Sequence, residues 1–294
     1  MMVLFEHRFV SGHIAGNCQL ALGDNSAVLI DCSQPFCANQ TIKNISEALE
    51  GRKLERIILS HSHYDHIAAL PQLHAAFPDV PIYAHPYVIN VLQRPGALAT
   101  MHRLCLTAEK LFGDAFKVCE PKLDCFPEII PLQDGQQFPF DDGVMTVHFT
   151  PGHTKDSVSV DFPDKGVCCL CETLGVKRPD GRMHPCFLTS CQDALDSVDK
   201  IESLGPRNIF LAHMAQNFTK DEHTMFFDMS RGAITESSEL ILRLFDEGKD
   251  QEGIFQAYSD FYWNDGYLVV WPYHAFEINS RAAIKAVLRD YRGQ

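Results

Sequence analysis

The chain has 294 residues, 46% of them apolar, and a net charge of −13 from 25 Lys and Arg against 38 Asp and Glu. That length and apolar content give one large or two modest domains with a sizeable core. The acidic balance, without any basic block, argues against a nucleic-acid backbone as partner, and no apolar run reaches the ~18 residues of a membrane span.

Glu6, His7 and Arg8 come too early for a signal-peptide core, so a cytoplasmic protein is expected. The eleven cysteines are an odd count, which suits reduced thiols rather than a disulfide framework.

Short strands are predicted first, in "VLFEHRFV", "CQLALG" and "SAVLIDC". A helix follows over "QTIKNISEALEG", with Ile42, Ile45 and Leu49 on one face and Gly51 as its stop. "LERIILS" is a wholly apolar strand, "IAALPQLHAAF" a helix and "VPIYAHP" a strand. Residues 86–128 are less regular, with one helix over "HRLCLTAEKLFGDAF".

A second strand series begins near 129, and the Asp-Gly pairs at 134–135 and 142–143 predict hairpin turns. "SVSVDFP" and "KGVCCLCE" continue it, "QDALDSVDKIESLG" is a helix and "RNIFLAHM" a last strand. The alternation in "VCCLCE" reads Cys168, Cys169 and Cys171 as structural thiols of a buried strand. Beyond 231 the pattern is helical, and "TESSEL" predicts a capping box at Thr235. The expected division is a core over 1–230 and a helical extension over 231–294 that packs on it as a lid.

The chemistry gathers after apolar strands. "LSHSHYDHIAAL" places His61, His63, Asp65 and His66 within six positions directly after "RIIL". Three more strands end in potential ligands: His153, Glu172 and His213. Loops at the carboxyl ends of strands in one sheet converge on one edge. Seven nitrogen and oxygen donors are too many for one tetrahedral ion. They suit two ions sharing a carboxylate, with His61 and His63 toward one and Asp65 and His66 toward the other. A donor set without Cys selects zinc first, with iron or manganese compatible.

"HSHYDH", "TPGHTKDS", "CETLG" and "LAHM", with "AVLIDCS" upstream, resemble in order and spacing the ligand motifs of the metallo-β-lactamase fold superfamily. The resemblance covers roughly residues 3–215 and implies an αββα sandwich of the α/β (α+β) class. It assigns His61, His63 and His153 to a first metal, and Asp65, His66 and His213 to a second. Glu172 falls at the bridging Asp position, and Asp31 and Thr154 stand behind the ligands. This sequence departs from the family pattern in the longer Glu172, in "IAAL" where Gly pairs are frequent, and in Ala212 where Gly is usual. The helical tail resembles the subgroup of the quinolone-signal response thioesterase.

The resemblance implies a hydrolase in which a metal-bridging hydroxide attacks the acyl carbon of a small ester, thioester or lactone. Asp65 would carry a proton and Tyr64 would assist the oxyanion. Tyr273 and His274 of the tail would line the pocket. Two other readings compete: a mononuclear iron oxygenase of sulfur compounds from the same superfamily, and a metal-binding regulator acting through its surface. The expected partner is a small acyl molecule, and a homodimer is compatible.

Overall fold

A computed structural model describes residues 5–178, 180–213, 217–218, 222–263 and 272–292. The chain forms two compact units. The first runs to Phe149 and includes Val160–Lys165; the second holds Thr150–Ser159 and everything from Gly166 onward. The chain passes between them three times: after Phe149, within strand β9 (Val158–Phe162) and after Lys165.

The first unit is built on a six-stranded sheet in the order β1 (Glu6–Phe9), β2 (Gln19–Leu22), β3 (Ser26–Ile30), β4 (Lys53–Leu59), β5 (Ile82–Ala84) and β6 (Ile130–Pro131). β1 to β3 pair antiparallel, and β3 to β6 pair parallel. The apolar β3 and the last three residues of β4 are fully buried, as central parallel strands require.

Parallel neighbours need crossovers. Helix α1 (Ala38–Leu49) connects β3 to β4 and buries Thr41, Ile45 and Ala48. The short helices α2 (Tyr64–Ile67) and α3 (Leu70–Ala76) connect β4 to β5. α4 (Pro86–Leu92) and α5 (Pro95–Phe112) follow. The predicted helix from His102 thus starts seven residues earlier. Pro95 opens it at a position that needs no N–H, and Met101, Cys105 and Ala108 form its buried stripe.

The Asp-Gly pair at 142–143 marks a hairpin as expected, with the turn one residue earlier, whereas the pair at 134–135 turns between strands of different sheets. β7 (Gln137–Phe140) pairs antiparallel with β8 (Gly143–Phe149), and Phe140 faces Gly143. The two turn residues are therefore Asp141, with φ 48°, and Asp142. Gly135 has φ 76° in a turn that precedes β7, and its N–H reaches Val147 of β8. Asp141 takes the turn because its carboxylate accepts the N–H groups of Asp24, Asn25 and Ser26.

In the second unit β10 (Val167–Cys169) runs parallel to β13 (Asn208–Phe210), which pairs antiparallel with β14 (Asn217–Phe218). A separate ribbon joins β11 (Val176–Lys177) to β12 (Met183–His184). α6 (Cys191–Ser203) is the crossover helix, and Ser190 caps it by accepting the Asp193 N–H.

Three long helices complete the unit: α7 (His223–Asp246), α8 (Gln251–Tyr262) and α9 (Tyr273–Arg292). The expected boundary at residue 231 lies inside α7, and Thr235 is an interior residue rather than a cap. Phe226, Ile234, Ile241, Ile254, Phe255, Tyr258 and Phe276 share one hydrophobic core with Cys168, Leu170, Val198 and Ile209. The terminal helices are thus structural members of the second unit. Two buried serines hid the stripe of α7: Ser230 donates to the Leu174 carbonyl, and Ser237 bonds the Tyr258 hydroxyl.

Candidate metal centre

In the first unit, β3 and β4 end side by side. Ile30 pairs with Ile58, and the Asp31 N–H bonds the Ile58 carbonyl. Asp31 after one strand therefore lies beside Ser60 and His61 after the other. The chain then turns into α2, with His63 at its N-cap and Asp65 and His66 in its single turn. His61 and His66 are fully buried and Asp65 nearly so. The His61 ring centroid is 4.6 Å from that of His63 and 4.0 Å from that of His66. A ligand atom of His61 lies within 4.8 Å of one of His63, and the same holds for Asp65 and His66.

Asp31 organises this cluster. Its Oδ2 accepts from Asn17 Nδ2 at 2.7 Å, from the Ser60 hydroxyl at 2.8 Å and from His66 Nδ1 at 2.7 Å. Its Oδ1 accepts the Ser60 N–H at 2.7 Å. The backbone of Asp31 has φ 65°, a left-handed conformation that Asp tolerates better than most residues. Burial opposes ionisation of this carboxyl, but His66, His61 and the Ser60 N–H together hold it below the ordinary carboxylate range.

The second unit brings together His153, Glu172 and His213, all buried. Glu172 opens a 3-10 turn after β10, and His213 follows the parallel β13. Glu172 Oε2 is 2.7 Å from His153 Nε2, and its Oε1 is 2.6 Å from His213 Nε2. Burial pushes the Glu172 carboxyl upward, yet the two imidazoles hold it well below its usual range. His153 Nδ1 donates to the Cys186 carbonyl at 2.6 Å, which leaves its Nε2 for a ligand. His213 has φ 58°, an uncommon left-handed backbone for a non-glycine residue.

The loop before His153 depends on Gly152. Its φ is 133°, and a Cβ there would meet the Ala194 backbone of α6 at 2.7 Å.

Other expected residues fall elsewhere. Tyr64 is buried within the first core. Thr154 bonds Ser157 through both its N–H and its hydroxyl, and so closes its own loop instead of supporting a ligand imidazole. Tyr273 and His274 are exposed at the start of α9, with the Tyr273 hydroxyl 3.4 Å from that of Ser259. Tyr258, Phe276 and Ser280 of the terminal helices line a small recess together with His184 and Cys186. Cys168, Cys169 and Cys171 are buried and in no disulfide, the first two within β10 as expected and Cys171 at the start of the following 3-10 turn.

Ser60, Asn17 and Cys186 were not singled out in the sequence. Ser60 adjoins His61, and its hydroxyl was the legible signal. Cys186 contributes only a backbone carbonyl, which no side-chain pattern announces.

Histidine and carboxylate side chains on loops that follow β-strands, in mixed α/β units, define a class of proteins with a donor set that could hold metal ions. The chain belongs to the metallo-β-lactamase superfamily, whose family model matches residues 12–213. It is 27% identical over 226 residues to the probable metallo-hydrolase YflN of Bacillus subtilis (strain 168), covering 69% of this chain and 82% of that protein. Among solved structures, a metallo-β-lactamase family protein of Thermus thermophilus aligns with a TM-score of 0.66 at 14% identity, over 97% of this chain and 93% of its own. An archaeal superfamily protein from Sulfolobus tokodaii gives 0.58 at 16% identity, over 97% and 98%. At such identities the likeness shows the fold alone. Among the described residues no helix is long and apolar enough to cross a membrane.

Proposed function

We propose that this chain is a metal-dependent hydrolase of small acyl esters or thioesters. In this reading two divalent ions are held by His61, His63 and His153 on one side and by Asp65, His66 and His213 on the other, with Glu172 between them. The observation that carries it is the division of Glu172. One oxygen faces His153 and the other faces His213, the two histidines that the reading assigns to different ions.

The donor chemistry fits the ions. Five imidazoles and two carboxylates, with no thiolate, suit zinc, with iron or manganese as alternatives. When bound, such ions supply a water acidified from about 15.7 to about 7 and an electrophile for a carbonyl oxygen.

The protein's own contributions follow from its buried groups. Asp31 and the Cys186 carbonyl orient two of the ligand imidazoles. Asp65 can hold a proton on its carboxylate and pass it to the leaving group. A thiolate or an activated alkoxide leaves with less proton assistance than an amine, which favours thioesters and esters. The helical tail resembling the thioesterase subgroup supports the same preference.

Protein purified without chelator should carry close to two ions by elemental analysis and should cleave model esters or thioesters. Asp65→Asn should fold and lose at least about 10²-fold in rate. One ion per chain, unchanged on adding metal, would favour the mononuclear oxygenase, a reading that leaves Asp65, His66 and His213 without a role.

A further inference from the structure

We infer that Ser60 is a positioning residue that sets which ring nitrogen His61 presents and ties His61 to His66 through the shared carboxylate of Asp31. The inference rests on the metal-centre reading above.

The direction of each hydrogen bond follows from the inventory of donors. A carboxylate only accepts. His66 Nδ1, 2.7 Å from Asp31 Oδ2, is therefore the donor in that contact. The Ser60 hydroxyl, 2.8 Å from the same oxygen, also donates to it. A hydroxyl has one proton, so Ser60 Oγ can only accept from its remaining neighbours. His61 Nδ1 lies 3.0 Å away and must be the donor. His66 Nδ1 is 3.2 Å from the same hydroxyl, a longer second branch of the proton it gives to Asp31.

Both imidazoles therefore carry a proton on Nδ1, so Nε2 is the nitrogen through which each would bind a metal. Asp31 bonds His66 directly, whereas its hydrogen-bonded path to His61 runs through the Ser60 hydroxyl. The Ser60 N–H on Oδ1 fixes the plane of the carboxylate, so one residue grips Asp31 from both oxygens. Since His61 and His66 belong to different ions in the proposed centre, Ser60 orients a ligand of each.

The test compares the parent protein with Ser60→Ala and Ser60→Thr. Histidine tautomers are read by 15N NMR on metal-free protein, and zinc binding by titration after chelator treatment. The parent should show His61 and His66 protonated on Nδ1. The Ala variant should lose the fixed tautomer at His61 while His66 keeps it, and zinc affinity should fall about 10- to 100-fold. Thr, which retains the hydroxyl, should restore both.

A folded Ala variant with an unchanged His61 tautomer and unchanged zinc affinity overturns the inference, as does a folded Thr variant that restores neither. If the Ala variant does not fold, Ser60→Cys replaces it, with the same losses expected and the same refutation. A parent that takes up no zinc overturns the metal-centre reading itself, while the tautomer measurement still decides the role of Ser60.

Discussion

Replacing Asp31 by Asn isolates the charge of the buried carboxylate from its shape. Asn adopts the left-handed backbone at least as readily as Asp, so the φ of 65° is preserved. Oδ2 receives three donors, from Asn17, Ser60 and His66, and Oδ1 receives one, the Ser60 N–H. With the amide oxygen placed at Oδ2, three charge-assisted bonds become neutral ones, each weaker by about 1 kcal/mol. The amide NH2 then faces the Ser60 N–H, and an unsatisfied buried donor costs about 1–3 kcal/mol. Burying a neutral amide rather than an ion offsets part of this, which leaves a net loss of about 3 kcal/mol. Equilibrium urea unfolding of chelator-treated protein measures it without the contribution of bound ions. A loss under about 1 kcal/mol would refute the view that the carboxylate charge organises the cluster.

Gly152→Ala should destabilise the second unit by at least about 2 kcal/mol in the same assay, because the new Cβ meets the α6 backbone and the φ of 133° is strained for any other residue. His184 is buried, and burial together with the Arg178 charge pushes its pKa down to about 3. A depressed histidine stays neutral when folded but binds a proton when unfolded, so stability is complete above about 6.5 and falls as pH drops toward 3, by about 1.4 kcal/mol per unit of separation. His184→Phe keeps ring contacts with Tyr262 and Phe276 and should flatten urea stability between pH 6 and 4; an unchanged slope would exclude His184 as its source.

The ligands were legible because each follows an apolar strand, and the rule that such ends converge needs no tertiary knowledge. His61, His153, Glu172 and His213 were all found in this way. The supports were less visible. Asp31 could be named only from a family pattern, and the Cys186 carbonyl carries no side-chain signature. The division of the chain was misplaced for a related reason. α7 alternates large apolar residues with buried serines, so its first half lacks a helical stripe and Thr235 resembles a start. Tyr64, inside the motif, opens a one-turn helix and is buried in the first core.

The shared core of the second unit has a consequence for the order of synthesis. Glu172 and His213 follow strands whose residues Cys168 and Ile209 share one core with Phe276, Ile284, Val287 and Leu288 of α9. A chain emerging from the ribosome can complete the sheet of the first unit, with its Asp31 cluster, once residue 131 is free. The partners of Glu172 and His213 emerge about 150 residues later. During that interval a nascent chain holds four of the seven proposed ligands, His61, His63, Asp65 and His66, and completes the set only when nearly the whole protein has been made.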